Sequence, residues 1–133
     1  MSERFRLFGA ELSPYSVKVR SALRAKQLPF DWLVRDKEHM PEFQRLAKLP
    51  LIPLLVTGAG AILQDSTPIL EWLEAQHPEP RFHPDDPRLR FLSQLLEEFG
   101  DEWGNKWMFH LRWARRIDQD SAAARLVDEM TPR

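Results

Sequence analysis

Four prolines between residues 78 and 87 divide this chain into two parts with different hydrophobic patterns. In the first part, short apolar runs alternate with amphipathic stretches; in the second, apolar residues recur at helical spacings. Because proline interrupts both helices and sheet interiors, we interpret residues 79–87 as a linker. The pattern predicts an α/β domain over residues 1–78 and an all-α region over residues 88–133.

The first part is predicted to contain elements in the order β-α-β-α-β-β-α. Alternation around Phe5 and Leu7 predicts the first strand, and Ser13-Pro14 is a favourable start for a helix that runs to about Gln27. The same rules predict a strand over residues 30–34 and a helix over residues 40–48. They also predict a hairpin of residues 51–56 and 61–63, and a helix from Ser66-Thr67-Pro68 to about residue 77.

In the second part, a long amphipathic helix is predicted to begin near Arg88. Its apolar residues recur at spacings of three and four, and Gly100 and Gly104 are expected to weaken or bend it. A last helix is predicted over about residues 120–130. The residues that define the apolar stripe are Leu89, Leu92, Leu96, Phe99 and Trp103.

Composition and charge exclude several kinds of chemistry. The net charge of −1 gives no electrostatic reason to expect nucleic acid or an anionic membrane as partner. The chain has no cysteine, so any thiol chemistry must use a thiol that a ligand brings. The four histidines lack the spacing of metal ligands, which predicts no metal site. The first residues read neither as a signal peptide nor as a membrane span, which predicts a cytoplasmic location.

Four motifs, taken in order, resemble those of glutathione S-transferases over residues 4–77. Residues 13–20 resemble the serine-type active-site turn of the tau and zeta classes, and Ile52-Pro53 stands at the place of the family's cis-proline. Gln64-Asp65-Ser66 is similar to the acidic-serine pair that holds the γ-glutamyl end of glutathione, and residues 69–73 to the helix that follows. The resemblance implies a thioredoxin-like N-terminal domain followed by an incomplete, truncated helical C-terminal domain.

The resemblance implies that Ser13 is the catalytic residue. A thiol of the cysteine type has a pKa of about 8.5, and a hydroxyl donor at a helix N-terminus favours the thiolate. The alternative is that Ser13 serves only as the N-cap of its helix. Tyr15 either lines the pocket or packs. Ser16 stands where a redox relative carries its second cysteine, so dithiol exchange is excluded.

The resemblance also implies a glutathione site built from two further stretches. A cis bond before Pro53 turns the backbone of Ile52 towards the cysteinyl part of glutathione, whereas the alternative is a trans proline that starts a strand. Ser66 is expected to cap the third helix, whose N–H groups bind the γ-glutamyl carboxylate, and Asp65 to meet the α-ammonium group. The alternative for this pair is an ordinary helix start.

Two parts of the expected site are less defined. Leu51 stands where the family often has a basic or amide residue that binds the glycyl carboxylate, so Lys48, Lys37 or His39 is expected to substitute. The aromatic second part offers candidates for a co-substrate pocket, although aromatic stripes more often form helix cores or oligomer contacts. These candidates are Trp103, Trp107 and His110.

The resemblance therefore predicts a protein that binds glutathione as co-substrate and activates its thiol for conjugation to a small hydrophobic electrophile. A non-catalytic glutathione-binding or protein-interaction domain is the alternative, favoured by Leu51 and by the short chain. A homodimer is expected, with no metal, nucleic acid or membrane as partner. The chain is also consistent with a fragment of a longer protein.

Overall fold

A computed structural model describes residues 4–130, and of Met130 the backbone alone. The first part has the predicted order of elements, which confirms the α/β prediction. Ser13 caps α1 as expected, and proline is its first residue. The bounds are β1 Phe5–Gly9, α1 Pro14–Ala25, β2 Phe30–Val34, α2 Met40–Leu46, β3 Leu54–Val56, β4 Ile62–Gln64 and α3 Ser66–Gln76.

The four strands form one mixed sheet in the order β2-β1-β3-β4. β1 and β2 are parallel, and Gly9 at the end of β1 lies opposite Val34 at the end of β2. β3 runs antiparallel to both β1 and β4, so that Leu54 pairs with Phe8 and with Gln64. The ends of β1, β2 and β4 therefore meet the start of β3 at one end of the sheet, here called the carboxyl end.

The core of the first part lies on both faces of β1. Phe5, Leu7 and Phe8 are fully buried. The ring of Phe5 packs edge-on against Trp72 of α3, and the ring of Phe8 lies 6.2 Å from that of Phe43 of α2. Because successive strand residues face opposite ways, α3 and α2 cover opposite faces of the sheet. A central strand buried on both faces explains why β1 contains hydrophobic residues at adjacent positions.

Lys26 is a buried cation at the opposite end of the sheet, just beyond α1. Its side chain is fully buried, and its Nζ atom donates to three acceptors. These are Glu74 Oε2 at 2.8 Å, the His77 carbonyl at 2.5 Å and the Pro80 carbonyl at 2.9 Å. One ammonium group therefore joins the end of α1 to the end of α3 and to the segment that leaves it.

The second part is helical, as predicted. It comprises α4 Pro87–Phe99, a π-helical segment Gly100–Gly104, α5 Asn105–Ala114 and α6 Arg116–Met130. Asp86 caps α4 by accepting from the backbone N–H groups of Arg88 and Leu89. The two glycines bound the π-helical segment, so the predicted weak point is a widened turn within a continuous helical run. The last helix begins at Arg116, four residues before its predicted start.

The described residues divide into two compact units. One comprises the residues up to Pro80 together with those from Leu126 onward, and the other comprises Arg81–Arg125. Within the second unit, Ala122 is the one buried residue among those described. Residues 77–86 form neither helix nor strand, while the boundaries 78, 79 and 87 stay predictions. No helix in residues 4–130 is long and apolar enough to cross a membrane.

Candidate functional site

A tight turn connects β1 to α1 and ends at Ser13. The Ser13 amide donates to the Ala10 carbonyl at 3.1 Å, which leaves Glu11 and Leu12 at the centre of the turn. The Ser13 hydroxyl oxygen accepts from the Ser16 amide at 3.2 Å, so the N-cap interpretation is confirmed. Capping uses a lone pair on the oxygen and leaves its proton available to an acceptor such as a thiolate.

The side chain of Glu11 joins this turn to α1 and β2. Its Oε1 atom accepts from Arg20 Nη1 at 2.7 Å and from Trp32 Nε1 at 2.8 Å. Hydrogen bonds from Arg20 lower the pKa of the Glu11 carboxyl, and burial, which raises it, does not reverse the effect. These contacts therefore stabilise the folded chain at pH values above the ordinary pKa of a glutamate carboxyl. Their contribution is lost as the pH falls through the lowered pKa of Glu11.

The Ile52-Pro53 turn lies at the start of β3, and its peptide bond is cis, as the resemblance implied. Pro53 is buried, and its carbonyl accepts from the Asp65 amide at 3.1 Å, which joins the turn to the start of α3. Among residues 4–130, the Ile52 backbone groups are left without a hydrogen-bond partner. They are therefore free to pair with an extended ligand.

Gln64 holds the segment before the cis-proline in place. Its Nε2 atom donates to the carbonyls of Leu49 at 2.6 Å and Leu51 at 2.7 Å, and its Oε1 atom accepts from the Leu49 amide at 3.2 Å. The sequence suggested no such role for Gln64, because the bonds connect residues that only the β3-β4 hairpin brings together.

The start of α3 differs from the prediction in one respect. Asp65, not Ser66, is the N-cap: its φ is +79°, and its carboxylate accepts from the Ser66 amide at 2.6 Å. Ser66 is therefore the first helical residue, and it is 1% exposed. Its hydroxyl oxygen is buried without a hydrogen-bond partner among the described residues. An unsatisfied buried polar atom costs about 1–3 kcal/mol, and a ligand group that pairs with it removes that cost.

The sheet brings these three stretches to its carboxyl end. The Ser13 turn follows β1, the Ile52-Pro53 turn precedes β3, and Asp65-Ser66 follows β4. Two helices, α1 and α3, start at this end, so the positive ends of their dipoles lie there. Tyr15 is half-buried in the first turn of α1. The arrangement suits an anionic, extended ligand.

An open cavity of about 400 Å³ is lined by Pro50, the residue before Leu51 in the chain, and Leu51 itself is 51% exposed. Its cationic lining residues are Arg35 and Lys48, and no acidic residue lines it. The Arg35 guanidinium donates to the Pro50 carbonyl at 3.4 Å and lies 5.6 Å from the ring centroid of Phe43. The other lining residues are Met40, Gln44, Ala47 and Leu49.

Of the residues expected to replace the missing cation at Leu51, only Lys48 lines this cavity. Lys37 is exposed elsewhere, and His39 is hydrogen-bonded to Asp36 at 2.9 Å. The sequence interpretation missed Arg35. Its position directly after β2 was the available signal, because β2 ends beside β1 in a parallel pair.

Asp36, Glu38 and His39 bring one possible ligand atom each within 4.8 Å of one another. Asp36 Oδ1 accepts from the amides of Glu38 and His39, both at 3.0 Å, and from the His39 ring. The cluster is thus a hydrogen-bonded turn that starts α2.

The aromatic candidates for a co-substrate pocket lie in the second unit. Trp103 is 53% exposed and Trp107 is 55% exposed, and His110 is also exposed. Lys106 Nζ lies 4.6 Å from the ring centroid of Trp103, and the Trp107 ring packs edge-on against Phe99 at 5.5 Å. Their part in a pocket stays a prediction.

The strand order, the crossover from β1 to β2 and the cis-proline before β3 define a thioredoxin-like domain. Residues 7–81 match the sequence family "Glutathione S-transferase, N-terminal domain". The chain belongs to the glutathione S-transferase family, which confirms the resemblance in its motifs.

Similar proteins include a maleylpyruvate isomerase from Ralstonia sp., 36% identical over 99 residues that cover 68% of this chain and 46% of the relative. A glutathione S-transferase from Methylobacterium radiotolerans, solved with glutathione sulfonate, is 37% identical, with a TM-score of 0.67, over 74% of this chain and 47% of that one. A maleylacetoacetate isomerase from Anaeromyxobacter dehalogenans, solved with glutathione in its active site, is 25% identical, with a TM-score of 0.66, over 96% and 65%. The chain thus spans about half the length of the curated relatives it matches.

Proposed function

We propose that this chain binds glutathione at the carboxyl end of the sheet and activates its thiol for conjugation to an electrophilic substrate. The buried, unpartnered hydroxyl of Ser66 carries the proposal, because it lies at a helix N-terminus on the same sheet end as Ser13 and Ile52. The structures of similar proteins with glutathione or glutathione sulfonate support it.

In the proposed complex, each part of the tripeptide meets a group suited to it. The γ-glutamyl carboxylate accepts from the Ser66 hydroxyl at the positive end of the α3 dipole, and Asp65 attracts the α-ammonium group. The cysteinyl backbone pairs with the N–H and C=O groups of Ile52, beside the buried Pro53, as an added strand would. Tyr15 borders this ligand from the first turn of α1.

Ser13 would then stabilise the ligand's sulfur as a thiolate. Its hydroxyl donates to the sulfur while its oxygen continues to cap α1, and the N-terminus of α1 adds positive potential. One unit of pKa depression corresponds to about 1.4 kcal/mol, which one hydrogen bond to a charged group supplies. The thiol proton passes to solvent, and the thiolate forms a carbon–sulfur bond as the bond from that carbon to the leaving group breaks and its electron pair departs with the leaving group.

The same site also fits a second function, a glutathione-binding domain without turnover. Exposed Leu51, in place of a polar ligand, favours it. A depressed thiol pKa in the complex would support the enzyme, whereas binding with an unshifted thiol would support the binding domain. The homodimer, the cytoplasmic location and the co-substrate role of Trp103, Trp107 and His110 stay part of the first proposal.

Binding is tested with Ser66→Ala, and reduced glutathione is the probe. We expect roughly tenfold weaker binding, because a hydrogen bond to a charged group contributes about 1.5–3 kcal/mol. The free variant should be as stable as the parent or more stable, since an unsatisfied buried hydroxyl is removed. Thermal denaturation with and without millimolar glutathione measures both quantities.

Ser21→Ala, which changes an exposed serine of α1, is the matched control and should bind as the parent does. If millimolar glutathione fails to stabilise the parent chain, the proposed function is wrong. If Ser66→Ala and Ser21→Ala bind glutathione equally well, the Ser66 hydroxyl does not contact the ligand, and the proposed function loses its main structural support.

We further propose that the cavity lined by Arg35, Lys48 and Pro50 receives the glycyl carboxylate through Arg35 and Lys48. Arg35→Gln should weaken glutathione roughly tenfold but leave γ-glutamylcysteine amide, which has no carboxylate at that end, unaffected. Titration calorimetry with both ligands measures the difference. The control is Lys37→Gln, since Lys37 is exposed and outside the cavity lining. Equal losses for the two ligands would contradict this assignment.

A further inference from the structure

Three of the contacts that hold the turn carrying Ser13 reach α1 and β2. The Ala10 amide donates to the Ser16 hydroxyl at 3.3 Å, and the Ser13 hydroxyl accepts from the Ser16 amide. These contacts fix the two ends of the turn on α1. At its centre, the side chain of Glu11 supplies the third contact, and this one reaches both α1 and β2.

The contacts of Glu11 form a closed triangle. Its carboxylate accepts from Arg20 Nη1 through both oxygens, at 2.7 and 2.9 Å, and from Trp32 Nε1 at 2.8 Å. The Arg20 guanidinium lies 4.6 Å from the Trp32 ring centroid, and its side chain is 16% exposed. Charge-assisted hydrogen bonds and an arginine on an indole face are among the stronger polar contacts in proteins.

Trp32 is itself fixed against the end of β1. A side-chain carbon added at Gly9 would lie 2.4 Å from the far edge of the indole and 2.8 Å from Ser16 Cβ. The indole therefore packs directly on the backbone that enters the turn, which only glycine permits. Glu11 thus connects the centre of the turn to a ring that cannot move towards β1.

We infer that Glu11 is a positioning residue, whose contacts with Arg20 and Trp32 hold the turn so that the Ser13 hydroxyl faces the sulfur of bound glutathione. The inference rests on the proposed function of Ser13. Glu11 acts through the turn, because its carboxylate is engaged by α1 and β2. Its loss should therefore change the reactivity of the sulfur more than the affinity for glutathione, which the Asp65-Ser66 and Ile52 groups provide.

The experiment compares Glu11→Ala and Glu11→Gln with Asp31→Asn. Asp31 is a control on the same strand as Trp32, where it pairs with Arg4 at the other end of β1. Ultraviolet absorbance of the thiolate gives the thiol pKa of bound glutathione, and calorimetry gives its Kd. The amide donation of Glu11 to Glu129 Oε1 uses the backbone and is retained in both variants.

For Glu11→Ala we expect a thiol pKa higher by roughly one unit and a Kd for glutathione within about threefold of the parent. Glu11→Gln keeps an oxygen acceptor and should restore roughly half of that shift, and Asp31→Asn should leave the pKa unchanged. Since Glu11 acts through Ser13, Glu11→Ala combined with Ser13→Ala should raise the pKa no further than Ser13→Ala alone.

Three results separate the failure of this inference from that of the proposed function. If Ser13→Ala raises the thiol pKa and neither Glu11 variant does, Glu11 has no positioning role and the proposed function stands. If Glu11→Gln, confirmed as folded by circular dichroism, loses affinity as much as reactivity, its role is merely structural and the inference is overturned. If Ser13→Ala leaves the thiol pKa unchanged, both proposals are wrong.

Discussion

Replacing Ser13 with alanine is expected to slow glutathione conjugation about 100-fold, the effect of removing one donor aimed at a developing or retained negative charge. The thiol pKa of bound glutathione should rise towards its free value of about 8.5. The reason is geometric: Ser13 ends the turn after β1, at the sheet end where Ile52 and Ser66 lie. Initial rates with an electrophilic model substrate, together with a thiol titration of the complex, measure the change.

The alanine variant also loses a helix cap, so a second pair of variants is needed. The Ser13 hydroxyl accepts from the Ser16 amide, and loss of such a cap costs about 1 kcal/mol, whereas glycine at the same position costs only a few tenths. Ser13→Gly should therefore be nearly as stable as the parent and as inactive as Ser13→Ala. Ser13→Thr, which keeps the hydroxyl and the cap, should retain most of the rate. An active Ser13→Gly variant would show that Ser13 serves only as a cap.

Lys26→Met is expected to lower the free energy of unfolding by about 3 kcal/mol, the largest effect on stability that we predict. The Lys26 ammonium group is fully buried and satisfies a carboxylate and two carbonyl groups. Methionine fills similar space but removes the three hydrogen bonds that Lys26 donates to Glu74 and to two carbonyl groups. Urea denaturation followed by circular dichroism measures the loss.

The control for Lys26→Met is Lys37→Met, since Lys37 is exposed in the turn before α2. That variant should change stability by less than about 0.5 kcal/mol. Glutathione affinity, measured well below the unfolding midpoint, should be the same in both variants, because Lys26 lies at the opposite end of the sheet from Ser13. Equal stabilities for the two variants would show that the buried contacts of Lys26 contribute no net stability.

The order of elements follows from local sequence. Each strand or helix of the first part is specified by alternation, helical spacing or a cap within a few residues, as at Ser13-Pro14 for α1. The position of the cis bond, Ile52-Pro53, came from the family resemblance, because proline by itself permits both isomers. Helix ends were less exact: α6 starts four residues early, since no strong cap marks its start.

The contacts of the candidate glutathione site depend on tertiary structure much more than the order of the strands and helices does. Asp65 displaces Ser66 as the cap, and the freed Ser66 hydroxyl is buried without a partner, which gives the proposal its main support. The contacts of Gln64 and Arg35 were not predicted from the sequence, because they reach 15 residues along the chain. Strand register, which sequence spacing does not define, brings these residues together.

The sequence by itself determined that α1 starts at Ser13-Pro14, that thiol chemistry must come from a ligand, and which family the chain resembles. Local spacing and residue type suffice for these, since caps and periodicity act within one or two turns. Only the tertiary structure decided that the ends of β1, β2 and β4 meet the start of β3, and that Glu11 joins α1 to β2. The reason is that sheet order and burial are properties of segments distant in sequence, which become neighbours only when the core forms.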